Sequence, residues 1–249
     1  MYTFVDSGEV RALLDRVLGE IATEVRESGV AEDVAFLVLG GGYGRGEGGI
    51  FRRQDGSEYL YNDLDFFVVS RSGSAKTLRA LNQFFRELHT RWSAKLGIDV
   101  DFSRAVSVRY VKKRLSVQMW REMVLGGLPI YGGSVEEFMG CFVPSRDWLE
   151  KQPVPQREVL RLFVNRLSGL WMARERLSRE QLTHEDYDFI ARNVNKTILA
   201  MGEGILMSRG CYVFGTLDRL HCLEVMNLEK FVLNKELVDL YRVEVLILR

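Results

Sequence analysis

The most constraining feature of this chain is a run of glycines placed directly behind an apolar hexapeptide. Val34-Ala-Phe-Leu-Val-Leu39 passes straight into Gly40-Gly-Gly-Tyr-Gly-Arg-Gly-Glu47. Six apolar residues in succession suit a strand buried on both faces. Glycines behind such a strand let the backbone turn sharply and bring its N–H groups close to an anion. Arg45 adds a planar, permanently charged fork that matches phosphate oxygens. A glycine-rich turn alone more often marks a tight connection, so its meaning depends on the residues downstream of it.

Downstream, Asn62-Asp-Leu-Asp-Phe66 opens a second apolar run, and Ile98-Asp-Val-Asp-Phe102 comes later. Residues i and i+2 of a strand share a face, about 6.5–7 Å apart. Asp63 and Asp65 therefore point one way while Leu64 and Phe66 point the other. Like charges so placed repel unless something positive lies between them, and carboxylate oxygens are the preferred ligands of hard divalent ions. A third carboxylate from a neighbouring strand would complete a site for two metals, the arrangement used in phosphoryl and nucleotidyl transfer. No Gly-Lys-Ser or Gly-Lys-Thr comes after the glycines, so this is not a P-loop. The GxGxxG fingerprint of dinucleotide folds is absent from 40–46 as well.

Around these motifs the first part alternates helix and strand. Ser7 to Arg26 has helical apolar spacing with Ser7 as a candidate N-cap. Strands are expected at 34–39, 64–69 and 98–102, with helices at 75–96 and 118–125. Leu128-Pro-Ile-Tyr131 suits a short edge strand, and Asp55-Gly56 suits the tight turn of a hairpin within 49–62. Three of the four prolines (144, 153 and 155) cluster between 144 and 155, which makes that stretch the candidate boundary. Beyond it only helices are expected, at 156–179, 183–208, 217–228 and 234–248, the second opened by the cap Thr183-His-Glu-Asp186. The expected fold class is α/β (α+β), a mixed sheet flanked by helices over 1–143, followed by an all-α helical bundle over 153–249.

Composition excludes several classes. The chain of 249 residues carries 34 Lys and Arg against 34 Asp and Glu. A protein that grips long nucleic acid through its phosphates needs a cationic surplus, so a long polyanionic acceptor is disfavoured. No apolar run reaches the roughly 20 residues of a bilayer span. The start, MYTFVDSGEVRALLDR, lacks the pattern of a secretory signal. Cys141, Cys211 and Cys222 form no metal or disulfide spacing, and read as buried or free thiols of a cytoplasmic protein.

Taken together, Gly41-Gly-Tyr-Gly-Arg-Gly-Glu47 followed by Asp63-Leu-Asp65 resembles the nucleotidyltransferase superfamily that includes DNA polymerase beta. The wording GGYGRGE is similar to the nucleotidyltransferase domain of the bacterial PII-protein uridylyltransferases. The resemblance covers roughly residues 30–105 and implies a nucleotidyltransferase-type fold. It implies that Gly41 and Gly42 hold a nucleoside triphosphate and that Arg45 contacts its phosphates. Asp63 and Asp65 would bind two Mg²⁺ ions, and a third Asp would bind one metal and help deprotonate an attacking hydroxyl. Asp99 and Asp101 both qualify and are expected to share a face; Asp101 is preferred because Val100-Asp101-Phe102 carries the strand onward. The spacing from Gly42 to Asp63 is longer than the family's usual one, which the hairpin would absorb. The chain lacks room for the phosphohydrolase and regulatory domains of the uridylyltransferases.

The expected activity is metal-dependent transfer of a nucleoside monophosphate from a nucleoside triphosphate to a hydroxyl of a small molecule or protein. An antitoxin-like or regulatory nucleotide-binding module on the same fold is the alternative. Lys112-Lys113-Arg114 is a candidate for the triphosphate, though a solvated basic face is the blander reading. Arg192, Asn193 and Lys196 share one side of a helix and are candidates for contact with base or acceptor, against a polar outer face. Trp171, Met172 and Leu177, and the stretch from Met201 to Met207, are expected in the core. The apolar run 237–248 suits packing within the bundle or across a dimer.

Overall fold

The computed structural model describes residues 1–226 and 234–247, and it divides into two compact units, Met1–Lys151 and Gln152–Ile247. The first unit is mixed α/β. Helix α1 (Gly8–Glu27) opens with the Ser7 hydroxyl accepting the Val10 N–H, which satisfies one of the helix's orphan donors. After it come β1 (Val34–Leu39), the five-residue helix α2 (Gly41–Arg45), the hairpin strands β2 (Ile50–Arg52) and β3 (Glu58–Leu60), and β4 (Leu64–Ser70). Then follow α3 (Ala75–Leu96), β5 (Val100–Phe102), β6 (Val106–Ser107), α4 (Val108–Lys112), α5 (Gln118–Gly126), β7 (Leu128–Tyr131), α6 (Val135–Phe142) and α7 (Arg146–Glu150).

The main sheet runs β5-β4-β1-β7, with β6 also paired to β4. It is mixed: β1 is antiparallel to β4 and β7, while β4 is parallel to β5 and β6. Every residue of β1 is buried, as its unbroken apolar run requires. On one face Leu37, Leu39, Leu64, Phe66 and Val100 meet Leu14, Ile21, Phe85 and Trp92 of α1 and α3. On the other, Phe36 packs edge-on against Phe138 of α6 with ring centroids 5.2 Å apart, and Phe67 lies 5.8 Å from Trp120 of α5. The expected edge strand is present as β7. The hairpin turns at Gly56 with φ of 86°, a left-handed conformation that glycine adopts without steric cost.

The second unit holds α8 (Gln156–Leu177), α9 (His184–Ser208), α10 (Thr216–Val225) and α11 (Asn234–Ile247). Thr183 and Asp186 form a reciprocal capping box at the start of α9. Small residues in the last two turns of α9 let its neighbours approach: a Cβ on Gly202 would lie 2.5 Å from the Tyr241 ring, and one on Gly204 would lie 2.5 Å from the Phe163 ring. Leu206 and Met207 are buried, in line with the packing role expected of 201–207. Tyr241 and Val245 turn the inner side of α11 toward Leu206 and Leu223 and Leu237 is buried as well, while Leu240 and Val243 are exposed. Leu248 and the end of the expected helix 217–228 lie outside the described residues.

Trp171, Met172 and Leu177 are not core residues. All three are more than half exposed, because α8 turns Phe163, Gly169 and Ala173 toward its neighbours instead. Asn193 of α9 is also reassigned: its amide donates to the Phe189 carbonyl and lies against Gly169 of α8, so it packs helix on helix. Arg192 pairs with Asp188 one turn earlier at 2.9 Å, and Lys196 is exposed. The three cysteines are free thiols, Cys211 exposed and the other two half-buried.

Candidate functional site

The candidate site forms where β1 ends, β4 begins and β5 begins. The parallel pairing of β4 with β5 sets Leu64 beside Val100, Asp65 beside Asp101 and Phe66 beside Phe102. Leu64, Val100 and the stacked Phe66–Phe102 pair, with centroids 4.9 Å apart, face the core under α1 and α3. By strand alternation Asp65 and Asp101 project from the opposite face, side by side and exposed to solvent.

Asp63 lies one residue before β4, and Asp99 one residue before β5, where its carbonyl accepts the Leu64 N–H at 2.9 Å. Asp99 does not share a face with Asp101. Its Oδ1 lies 3.6 Å from His89 Nδ1, on the helix that covers the opposite face of the sheet. The same His89 nitrogen lies 3.0 Å from the Val100 carbonyl. Of the two, the carboxylate brought beside Asp65 is therefore Asp101.

The glycine segment is a short helix rather than a plain turn. Gly40 donates to the Asp65 carbonyl at 2.7 Å, which ties the start of α2 to β4. Gly41 takes a φ of 59°, and a Cβ there would lie 2.5 Å from Asp65 Oδ2, so its bare Cα leaves the room the carboxylate occupies. Gly42 accepts the Glu47 N–H through its carbonyl at 2.8 Å. At Gly44 a Cβ would overlap the Leu39 carbonyl, so α2 can press on the end of β1 only because that position is glycine. The first N–H groups of any helix have no partner within it, so α2 opens with donors beside the Asp65 carboxylate. Arg45 Nε lies 2.9 Å from Glu47 Oε2, which holds the guanidinium on the loop that leaves α2.

Two positioning residues carry no obvious signal in the sequence. Tyr43 is almost fully buried; its hydroxyl donates to the Gly49 carbonyl at 2.7 Å and accepts the N–H groups of Tyr61 and Asn62. Burial pushes its pKa up to about 12, although the two donated N–H groups oppose that shift. The Asn62 side chain accepts the Gly49 N–H at 2.6 Å. Together they clamp α2 and the hairpin entry to the residues that lead into Asp63. An N–H donor pair pointing at a tyrosine oxygen is not encoded in any local pattern, whereas Asn before Asp63 offers a hint as a turn former.

Beside Gly40 the same face continues as a row of rings: Phe67, Trp120, then Tyr110 of α4 at 5.9 Å from Trp120. Arg114 stacks over Tyr110 with its guanidinium 3.7 Å from the ring centre, and Lys112 and Lys113 are exposed next to it. The basic triplet thus joins the sheet face by way of aromatic packing.

The donor set is wholly carboxylate, hard oxygen ligands of the kind Mg²⁺ takes. The adjacent Asp65 and Asp101 carboxylates, the first seated against the bare Cα of Gly41, are donors of the kind that fit one such ion. Among the described residues no three or more His, Cys, Asp or Glu side chains gather closely enough to hold a metal, so Asp63 is not drawn in with the pair. None of the described helices is long and apolar enough to cross a membrane. Compared with protein-family models, curated proteins and solved structures, the chain matches none.

Proposed function

We propose that the first unit is a nucleotidyltransferase domain of the DNA polymerase beta type, moving a nucleoside monophosphate from a nucleoside triphosphate to a hydroxyl of a small molecule or protein. The observation that carries this reading is the register that sets Asp65 beside Asp101, with the bare Cα of Gly41 against the Asp65 carboxylate. Asp63, Asp65 and Asp101 are the residues that would hold Mg²⁺, which when bound supplies charge neutralisation at the phosphates and activation of the attacking oxygen. The α2 backbone at Gly41 and Gly42 binds and orients the triphosphate. Arg45 adds its fork to the phosphates from the next turn, and Glu47 holds that fork in place.

In the transfer the acceptor oxygen forms a bond to the alpha-phosphorus as the bond to the beta-phosphate bridge breaks, and pyrophosphate leaves. Asp101 takes the proton of the attacking hydroxyl. The helices of the second unit belong, on this reading, to a C-terminal bundle that serves acceptor recognition. The net charge of zero favours small or protein acceptors over long nucleic acid.

Incubation of the protein with Mg²⁺ and each of the four nucleoside triphosphates, together with a library of small molecules and proteins, tests this directly. The expected result is an acceptor whose mass rises by one nucleoside monophosphate, with matching pyrophosphate release. A binding-only, regulatory reading is favoured by one observation, that Asp63 is not gathered with the other two carboxylates. Mg²⁺-dependent nucleotide binding with no release in any acceptor mixture would decide for it.

A further inference from the structure

Strand β5 is the outermost strand of the main sheet, and among the described residues no further strand pairs with its outer side. It is three residues long, so few ladder bonds hold it to β4. The candidate site nevertheless depends on the register of Asp101 with Asp65. An edge strand leaves outward-pointing N–H and C=O groups to be satisfied by something else. Backbone groups of successive residues point to opposite sides of a strand. The Asp99 carbonyl and the Ser103 N–H bond to Leu64 and Phe66 of β4, so the N–H and carbonyl of Val100 point outward. Both are taken by α3. Ser93 Oγ accepts the Val100 N–H at 3.0 Å, and His89 Nδ1 lies 3.0 Å from the Val100 carbonyl. A carbonyl only accepts, so Nδ1 donates there. Just past the strand, Asn82 Oδ1 accepts the Ala105 N–H at 2.8 Å. Asn82, His89 and Ser93 recur at helical spacing and share one face of α3.

We propose that Asn82, His89 and Ser93 are positioning residues, which stand in for a missing outer strand and hold β5 in the register that sets Asp101 beside Asp65. His89 acts nearest to the site. The Val100 carbonyl and the Asp101 N–H belong to one planar peptide unit. A grip on that carbonyl therefore fixes the peptide from which Asp101 projects, while the β4 ladder holds the inner side of the strand. The His89 ring also lies 3.6 Å from Asp99 Oδ1, beyond hydrogen-bond reach, whereas the carbonyl at 3.0 Å is within it. The ring therefore serves the backbone of β5 before the Asp99 carboxylate. Val100 is fully buried, so water does not replace either partner that α3 supplies. The role of Asp101 in holding Mg²⁺ rests on the nucleotidyltransferase reading; the grip of α3 on β5 does not.

Amide hydrogen exchange of the full chain, read residue by residue by NMR, tests the grip. Calorimetric titration with Mn²⁺ alone, in place of Mg²⁺, tests its effect on the site. His89→Leu removes the donor, and His89→Asn keeps an N–H donor close to the place of Nδ1. His89→Leu is expected to speed exchange of the Asp101 and Leu64 amides at least about tenfold. The Leu37 and Val38 amides of β1 keep their wild-type rates, and Mn²⁺ binding weakens about tenfold. His89→Asn restores both readings. Ser93→Ala, a milder change, also speeds exchange at Asp101. In turnover, His89→Leu lowers kcat while the triphosphate KM holds, because Gly41, Gly42 and Arg45 are untouched. Unchanged exchange at Asp101 in both His89→Leu and Ser93→Ala, a rise spread equally over β1, or no rescue by His89→Asn would overturn the proposal. A wild type that binds no Mn²⁺ would overturn the catalytic reading instead, and the exchange rates would still decide for or against the grip.

Discussion

At the residue scale the site rests on one comparison, between Asp99 and Asp101. Strand alternation alone treats the two alike, since both are flanked by apolar residues. The β4–β5 register separates them by setting Asp101 beside Asp65, while Asp99 sits against His89. Asp65→Asn and Asp101→Asn should each lower transfer by about 10²–10⁴-fold, whereas Asp99→Asn should retain activity within about fivefold, well short of such a loss. All three side chains are exposed, so thermal unfolding of the three variants should match the wild type. Full pyrophosphate release by Asp65→Asn would remove the basis of the catalytic reading. Tyr43 makes a second residue-scale prediction. Its pKa is raised from 10.0 to about 12, so the folded chain keeps a proton that the unfolded chain gives up first. The stability this contributes is complete below pH 10 and is lost as pH rises through about 12. Urea unfolding across that window should show the loss, and Tyr43→Phe should reduce its slope; Tyr2, also raised to about 12, accounts for part of what remains. Tyr43→Phe should also cost about 1–3 kcal/mol at neutral pH, because the Tyr61 and Asn62 N–H groups lose their acceptor.

At the element scale, legibility tracks periodicity and length. Helices α1, α3, α8 and α9 each show several turns of apolar repeat, β1 is an unbroken apolar run and β4 is one interrupted at Asp65, so all six are readable from sequence. The five-residue helices α2, α4 and α7 are not, since barely more than one turn leaves no period to detect. Glycine hides α2 further, because three of its five residues have no side chain. In α8 the period is legible but the facing is not. Two apolar stripes on one helix give no sequence signal for which one meets α9, and the core position expected for Trp171 is on the wrong side. The site's Asp pair is readable as chemistry, whereas its choice of third carboxylate depends on strand register, a non-local property. The necessity of glycine in α2 is open to measurement. Gly44→Ala puts a methyl onto the Leu39 carbonyl, a backbone atom that cannot swing aside. We expect a loss of about 1–3 kcal/mol from this overpacking, together with weaker nucleotide binding as α2 lifts from β1. Gly8→Ala, where a Cβ meets nothing within 4 Å, is the control and should leave binding unchanged.

At the scale of the whole molecule the division at Lys151 and Gln152 sets the proposed nucleotide site and the helices beyond it in separate compact units. Every residue assigned to metal or triphosphate lies in Met1–Lys151, and that unit has its own core of α1, α3 and the sheet. The connection runs through Lys151-Gln-Pro-Val-Pro155, between α7 and α8, with Lys151 exposed. Exposed backbone between compact units is where proteases cut first. Limited trypsin digestion should therefore nick after Lys151 before it reaches the helices. The released first unit should keep Mg²⁺-dependent triphosphate binding within about threefold of the intact chain, a shift of less than about 0.7 kcal/mol. Calorimetric titration of the purified fragment reads this without requiring an acceptor, so it stays independent of turnover. Loss of binding in a fragment that retains its helical and sheet signals would mean that the second unit contributes to the nucleotide site itself. Retained binding would confine that site to the register of β4 with β5 and the glycines of α2.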